Sequence, residues 1–346
     1  MNYRLLGKSG LRVSEFCLGT MTFGEDWGWG SPKGEARKIY DAFREQGGNF
    51  VDTANVYTNG TSETLLGEFL SGHRAEVVLA TKYTNAAGEG HQNPNAGGNQ
   101  RKAMVEAVES SLRRLKTDYI DLYWMHIWDQ MTPAEEVMRA FDDLVRAGKV
   151  LYIGVSDAPA WWVAKSNTLA ELRGWTAFAG LQIEYSLIER TPERELLPMA
   201  KEFGLTITAW SPLAGGVLTG KYLEESKKSD GRFHVEEMAG FRKDQEREDR
   251  VARAVIAVSK ELKATPAQVA LAWLRYASVP VVPIVGARKL TQLQDNLGSA
   301  RVVLSEAQRS TLEEASAIKL GFPHEFYDVP MVRNFVYGGL RDRIKA

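Results

Sequence analysis

The fold of this chain is decided by the stretch NFVDTANVY, residues 49–57. In it, the apolar residues Phe50 and Val51 precede the carboxylate of Asp52, and the phenol of Tyr57 follows five positions later. A short apolar run that ends in a polar side chain is typical of a buried strand in a parallel sheet. We therefore predict a strand at residues 50–52, with Asp52 and Tyr57 at its carboxyl end.

The same pattern recurs along the whole chain. Lys82 closes the apolar run at residues 77–82, and His126 closes the run at residues 120–126. The other runs are residues 15–19, 152–156, 180–184, 206–210 and 281–285. Eight runs with helical stretches between them predict an α/β fold, one closed (β/α)8 TIM barrel that spans residues 1–346 as a single domain.

Helix starts are predicted by four pairs of a hydroxyl residue and a proline. They are Ser31-Pro32, Thr132-Pro133, Thr191-Pro192 and Thr265-Pro266. Glu135 and Gln268 stand at capping-box spacing from the second and fourth hydroxyl. Between residues 100 and 115, one helical face carries Met104, Val108, Leu112 and Leu115, as expected of a helix packed on a barrel.

Three segments lie outside the repeat. Residues 3–6 and 11–13 flank a glycine-containing turn, and we expect this hairpin to plug the barrel floor. Residues 221–250 are rich in charge and predict an insertion, either a lid that orders over bound cofactor phosphates or a surface excursion. The tail beyond Leu320 is aromatic, and we expect it to pack, over the barrel mouth, through Phe322, Phe326, Tyr327, Phe335 and Tyr337.

Composition excludes several classes of protein. With 346 residues, 44% hydrophobic, and a net charge of −1, the chain predicts an enzyme-sized soluble protein with no nucleic-acid or membrane partner. No apolar signal core or spanning run is present, so we expect a cytoplasmic location. The single cysteine, Cys17, lies in an apolar run and predicts a buried, inert thiol. Composition leaves the oligomeric state open.

The polar residues at the predicted barrel mouth suit carbonyl chemistry. Hydride transfer to a carbonyl places negative charge on its oxygen, so the site needs a proton donor there. Tyr57 is the candidate donor, with its pKa lowered by the Lys82 ammonium, and Asp52 would keep Lys82 charged. His126 can donate to the same oxygen.

Each of these residues has an ordinary structural alternative, and only their joint placement favours catalysis. A metal-dependent hydrolase is disfavoured because only His126 of the five histidines ends a predicted strand. A Rossmann dehydrogenase is disfavoured because no GxGxxG motif follows a strand.

Several stretches resemble the aldo-keto reductase family, in its aryl-alcohol-dehydrogenase-like and potassium-channel β-subunit-like branch. They are residues 18–24 (LGTMTFG), 50–54 (FVDTA), 62–63 (SE), 110–115 (SSLRRL), 118–122 (DYIDL), 148–150 (GKV) and 210–213 (WSPL). The resemblance implies an NADPH-dependent oxidoreductase that reduces an aldehyde or ketone to an alcohol, with Asp52, Tyr57, Lys82 and His126 as the catalytic tetrad. Because that branch includes channel subunits, an NADPH-binding regulatory subunit with little turnover is the alternative.

The resemblance also implies a set of cofactor residues. They are Gly19, Thr20, Met21, Asp52, Ser156, Asp157, Gln182, Trp210, Ser211, Pro212, Leu213, Gly215, Leu218, Gly220, Lys221, Ile284, Gly286, Ala287, Arg288, Gln292 and Asn296. Asp157 departs from the asparagine usual in the family, and a helix N-cap is its alternative role. For Arg288, the candidate partner of the cofactor 2′-phosphate, and for Lys289, the alternative is a solvated helix start.

The substrate pocket is the least determined part of the site. Trp27, Trp29 and Trp128 follow strands at the predicted mouth, beside Tyr57 and His126. They predict an aromatic-lined pocket for a small-molecule carbonyl compound, or else they are packing residues.

Overall fold

The computed structural model describes residues 1–87, 93–223 and 244–345. Within them, eight parallel strands close into a barrel, preceded by an antiparallel pair, β1 (Tyr3–Leu5) and β2 (Arg12–Ser14). The barrel strands are β3 (Cys17–Gly19), β4 (Phe50–Asp52), β5 (Val78–Tyr83), β6 (Ile120–Met125), β7 (Val150–Ser156), β8 (Phe178–Glu184), β9 (Thr206–Trp210) and β10 (Val281–Gly286). The predicted (β/α)8 barrel is confirmed, and its strand bounds differ from the prediction by at most two residues.

Strand register brings the polar side chains to one rim. Asp52 at the end of β4 pairs with Ala80 of β5, so Lys82 lies two residues further along β5. Lys82 in turn pairs with Trp124 of β6, two residues before His126. Because the strands are parallel, their carboxyl ends meet at the same mouth of the barrel.

Helices cover the outside of the barrel, and two short helices follow in the C-terminal tail. Those described are α1 (Lys33–Glu45), α2 (Thr61–Phe69), α3 (Arg101–Leu115), α4 (Ala134–Arg146), α5 (Ala160–Arg173), α6 (Leu196–Phe203), α7 (Gln245–Leu262), α8 (Pro266–Trp273), α9 (Leu290–Gly298), α10 (Glu306–Ser316), α11 (His324–Tyr327) and α12 (Pro330–Tyr337). The predicted face of α3 is confirmed: Met104, Val108 and Leu115 are buried, and Leu112 packs against the core.

Only one of the four predicted hydroxyl caps forms. Thr265 caps α8 and completes a capping box with Gln268. Ser31 does not cap α1, which begins after Pro32, because its hydroxyl donates instead to the carbonyl of Arg288 at 3.1 Å. A tertiary partner thus replaces the local cap.

The capping box predicted at Thr132 is also wrong. The Thr132 hydroxyl donates to the Asp129 carboxylate at 2.6 Å, and α4 begins without a side-chain cap. Thr191 begins only a single 3-10 turn. The Asp129 carboxylate also accepts from the Thr132 N–H at 2.9 Å, so it takes the place that the Glu135 side chain would fill in a capping box.

The hairpin of β1 and β2 closes the barrel floor, as predicted. Leu6 and Val13 are fully buried and pack with Phe50 inside the barrel. The Gly7 N–H donates to the hydroxyl of Thr206 at 2.8 Å, which joins the hairpin to the start of β9. Access to the barrel interior is therefore from the mouth at the other end.

The indole of Trp124 fills the barrel interior. It is fully buried and lies against Gly154 of β7 and Gly180 of β8. A Cβ atom at either glycine would come within 3.0 Å of the ring, closer than side chains pack. The interior accommodates Trp124 only because these two positions lack side chains, and Cys17 is buried in the same cluster, as predicted.

We call residues 321–345 the C-terminal arm. The expectation that its aromatic residues pack over the barrel mouth is wrong, because no residue of the arm is buried. Its base is held at the outer start of α6, where His324 Nε2 lies 3.0 Å from Glu195 Oε1. The five aromatic side chains are between 38% and 84% exposed: Phe322, Phe326, Tyr327, Phe335 and Tyr337.

The predicted insertion at residues 221–250 falls mostly on residues 224–243, which lie outside the described residues. Residues 245–250 form the first turns of α7. The Asp244 side chain accepts from the Arg247 N–H at 3.0 Å and caps this helix. The end of the predicted insertion is therefore corrected to before residue 244.

The described residues contain neither a membrane-spanning helix nor a cluster of metal ligands. In that part of the chain, no helix combines the length and the apolar composition that crossing a membrane requires. Nor do three or more His, Cys, Asp or Glu side chains gather there as they would around a metal ion. Two of the five histidines, His91 and His234, lie outside the described residues.

Candidate active site

The barrel mouth brings Asp52, Tyr57, Lys82 and His126 together. Lys82 Nζ donates to the Asp52 carboxylate, to the carbonyl of Thr53 at 2.7 Å, and to Tyr57 Oη at 3.0 Å. The ring of His126 stands edge-on to the ring of Tyr57, with centroids 5.8 Å apart. The four side chains, from three strand ends and the turn after β4, thus form one contiguous group.

Lys82 is the electrostatic centre of this group. Its side chain is fully buried, and burial opposes its charge, but Asp52 and then Tyr57 outweigh that effect and raise the pKa of Lys82 to about 12. Gln182 Nε2 donates to the second oxygen of Asp52 at 3.0 Å, so both carboxylate oxygens are paired. The ammonium is therefore held in its charged form next to the phenol.

The pKa of Tyr57 differs from the prediction. Burial raises it, and the opposing effect of Lys82 does not reverse the shift. The predicted net lowering is wrong because the phenolate would be buried away from water. Tyr57 is accordingly a neutral phenol, with Lys82 placed to stabilise the phenolate once a proton has left.

His126 is held in one tautomer by Asn85, a residue that the sequence reasoning missed. The Asn85 amide nitrogen lies 3.2 Å from His126 Nδ1. Because that nitrogen can only donate, Nδ1 accepts and the ring proton stays on Nε2. Burial and the Lys82 charge lower the pKa of His126 to about 3, so the imidazole is a neutral donor. The position of Asn85, three residues beyond Lys82 at the same strand end, is the signal that could have found it.

Asp157 and Trp210 form a second polar unit at the mouth. The Trp210 Nε1–H donates to Asp157 Oδ1 at 3.0 Å. The alternative role of Asp157 as a helix N-cap is wrong, because α5 is preceded by Pro159 and has no side-chain cap. Next to Asp157, the buried hydroxyl oxygen of Ser156 has no well-formed hydrogen bond among the described residues.

The loop after β9 turns through a series of left-handed residues. Their φ angles lie between +47° and +94°, at Ser211, Ala214, Gly215, Gly216 and Gly220. Turns of this kind direct backbone N–H groups into a concavity that suits an anion. The predicted residues Pro212, Leu213, Leu218 and Lys221 belong to the same loop, with Leu218 buried.

The segment at residues 284–296 lies beside the end of β3. Ile284 pairs with Cys17, Gly286 pairs with Gly19, and the Thr22 hydroxyl donates to the Ala287 carbonyl at 2.9 Å. In the same region, Met21 is half-buried, whereas the buried Thr20 hydroxyl donates to the Asp52 carbonyl at 3.0 Å.

At the start of α9, Arg288 is half-buried and Lys289 is exposed. The side-chain oxygen of Gln292 accepts from the Arg288 N–H at 2.8 Å, so this predicted cofactor residue stabilises the start of its own helix. Asn296 is buried on the same helix.

A sequence profile described as the aldo/keto reductase family matches residues 15–317. The chain belongs to the aldo/keto reductase family. Its members are oxidoreductases, so the fold, the grouped side chains and the family agree. This aldo/keto reductase therefore carries its polar group at the strand ends where (β/α)8 barrel enzymes place their active sites.

Curated relatives of this aldo/keto reductase cover nearly its whole length. Norsolorinic acid reductase of Aspergillus flavus is 38% identical over 94% of this chain and 83% of its own length. A norsolorinic acid reductase of Emericella nidulans is 40% identical over 92% of this chain and 82% of its own. An aryl-alcohol dehydrogenase [NADP(+)] of Phanerodontia chrysosporium is 38% identical over 91% and 86%, respectively.

Aromatic side chains line the mouth of this aldo/keto reductase. Trp27 stands edge-on to Tyr57, with centroids 6.5 Å apart, and also contacts Trp29. Trp128 packs edge-on against the exposed Trp161 at 5.5 Å. Of the three tryptophans predicted for the pocket, Trp27 is thus the one in ring contact with Tyr57.

Asp157 gives this aldo/keto reductase a pH-dependent stability. Burial raises its pKa from 3.8 to about 6, against the opposing hydrogen bond from Trp210. A carboxyl with a raised folded-state pKa contributes stability below pH 3.8 that is lost as the pH rises through about 6. We expect Asp157→Asn, which does not titrate, to gain up to about 3 kcal/mol in unfolding free energy relative to wild type across that window.

Urea unfolding of both proteins at a series of pH values measures this difference. Asp129→Asn is the matched control, because backbone N–H groups of Asn99 and Thr132 outweigh the burial of Asp129 and lower its pKa. Its stability relative to wild type should fall, not rise, with pH. A pH-independent difference for Asp157→Asn would show that this carboxyl has an ordinary pKa.

Proposed function

We propose that this aldo/keto reductase reduces aldehydes or ketones to alcohols with NADPH, and that Tyr57 is the general acid. The observation that carries the proposal is the contact of Lys82 Nζ with Tyr57 Oη at 3.0 Å, made by an ammonium that is itself paired with Asp52. A neutral phenol beside a buried cation is ready to give up a proton and to be stabilised afterwards.

Each residue of the group has its own role at the carbonyl oxygen of the substrate. Tyr57 Oη gives its proton to that oxygen, and Lys82 stabilises the resulting phenolate. Because Asn85 holds the His126 proton on Nε2, this ring donates a second hydrogen bond to the developing charge. Asp52 keeps Lys82 charged and in place, so it acts on the reaction through Lys82.

The mouth has features that fit a dinucleotide. The buried hydroxyl group of Thr208 has no hydrogen-bond partner among the described residues, so it can pair with an added polar group. NADPH would supply the hydride there. Ser156, Asp157 and Gln182 would hold the nicotinamide end, and the left-handed turns at residues 211–220 would face its phosphates.

Arg288 is the proposed reader of the cofactor 2′-phosphate. Its backbone N–H is held by Gln292, which places the guanidinium at the start of α9. A guanidinium pairs with a phosphate through two parallel hydrogen bonds, which NADH cannot accept because it lacks that group.

Replacing Arg288 with alanine should therefore weaken NADPH binding by about 10- to 100-fold and leave NADH binding nearly unchanged. Quenching of tryptophan fluorescence by each dinucleotide measures both dissociation constants. Lys289→Ala, which removes the adjacent exposed cation, is the matched control and should have a smaller effect. Equal losses for NADPH and NADH in Arg288→Ala would exclude the assignment.

We infer that the substrate is an aromatic carbonyl compound. The ring of Trp27 beside Tyr57, with Trp29 next to it, offers a flat apolar surface on which an aryl group can stack. The name of one relative, an aryl-alcohol dehydrogenase, agrees with this class.

Oxidation of NADPH by the purified protein with benzaldehyde and substituted benzaldehydes tests the proposal. We expect turnover that saturates with aldehyde and that exceeds turnover of an aliphatic aldehyde of similar size. Tight NADPH binding without turnover of any carbonyl compound would instead support the alternative of an NADPH-binding regulatory subunit.

A further inference from the structure

The C-terminal arm carries more exposed apolar surface than any other segment of comparable length in the described chain. Phe322 is 84% exposed, Phe335 78% and Met331 60%. Large apolar side chains that are at least one-third exposed occur there at ten positions: Phe322, Phe326, Tyr327, Val329, Met331, Phe335, Val336, Tyr337, Leu340 and Ile344. Monomeric proteins rarely leave large apolar patches exposed to water.

The arm is joined to its own barrel at its base, through the contact of His324 with Glu195. None of residues 321–345 is buried, and the ring contacts within it are local, such as Phe322 with Phe326 at 6.0 Å. Its two helices, α11 and α12, are four and eight residues long. Helices this short are marginal in water unless an apolar face packs against something.

We propose that the arm is a dimerisation element, covered by a second copy of this chain. The exposed apolar side chains of one arm amount to roughly 1,000 Å², taking about 150–250 Å² for each large side chain. A standard specific interface buries about 800 Å² on each partner. The arm alone therefore supplies the area that a stable dimer needs.

The charges of the arm favour a second copy over a membrane surface. An interfacial membrane helix carries many Lys and Arg residues on its polar face, whereas α12 has one charged residue, Arg333. The whole arm mixes both signs, with Glu325, Asp328, Arg333, Arg341, Asp342, Arg343 and Lys345. In a two-fold contact, the acidic residues of one arm can pair with the basic residues of the other.

The mass of the full-length protein in solution tests this inference. Light scattering on a sizing column, over a range of micromolar concentrations, should give twice 38.5 kDa for the wild type. Phe335→Glu and Met331→Glu should each shift the mass to that of one chain. Because both side chains are exposed within one chain, the fold and NADPH binding should be unchanged, as circular dichroism and fluorescence titration would report.

Leu172→Glu is the matched control. Leu172 is 78% exposed, as is Phe335, but it lies on α5 outside the arm, so this variant should remain dimeric. A monomeric wild type would overturn the proposal and leave another partner as the occupant of the arm. A dimer that persists in both arm variants, or that dissociates in Leu172→Glu alone, would overturn it as well.

Discussion

Tyr57→Phe is expected to lower kcat/KM for carbonyl reduction by about 10²- to 10⁴-fold. The change removes only the hydroxyl that receives a hydrogen bond from Lys82 at 3.0 Å. The phenyl ring keeps its edge-on contacts with Trp27 and His126, so the mouth retains its shape. The measurement is steady-state oxidation of NADPH with an aromatic aldehyde, alongside the dissociation constant of NADPH, which should not change.

Tyr83→Phe is the matched control for this experiment. Tyr83 is a buried tyrosine on β5 whose hydroxyl donates to the Asn99 carbonyl at 3.3 Å, away from the group at the mouth. Its loss should cost stability but leave turnover close to wild type. Near-wild-type turnover in Tyr57→Phe would remove Tyr57 as the proton donor.

Lys82→Met is expected to lower both activity and stability, the latter by about 3–5 kcal/mol. Lys82 is 0% exposed and neutralises the Asp52 carboxylate, which is itself buried. Methionine fills a similar volume but leaves that carboxylate without its cation. The loss in unfolding free energy should grow with pH, because burial raises the pKa of Asp52 and the unpaired group is neutral only when protonated.

Adding Asp52→Asn to Lys82→Met separates the loss of stability from the loss of activity. The amide can still accept from Gln182 and carries no charge, so much of the lost stability should return and its pH dependence should disappear. Turnover should stay low, because Tyr57 would still lack its cation. If the double variant is less stable than Lys82→Met, the buried charge is not the cause of the destabilisation.

The sequence was sufficient to predict the barrel and the grouping at its mouth, for a physical reason. Buried parallel strands are short apolar runs, and the first polar residue beyond each run marks its carboxyl end. Asp52, Lys82 and His126 could therefore be placed from local pattern alone. Which side chains then pair across the mouth depends on strand register.

What the sequence did not show rests on contacts between residues far apart in the chain. Trp210 and Asp157 are 53 positions apart, and Asn85 and His126 are 41 apart. The same limit explains the missing cap at Ser31, whose hydroxyl partner is 257 positions away. The aromatic arm was expected to pack because apolar side chains avoid water, but that rule does not say which molecule covers them.

The packing of Trp124 against Gly154 and Gly180 means that these three residues, on three separate strands, cannot change independently during evolution. A side chain added at either glycine would collide with the indole of Trp124. Such a substitution therefore requires a smaller residue at position 124 first. The smaller residue, arriving first, leaves a void in the barrel interior. If these residues change one at a time, the intermediate is therefore less stable than the present combination.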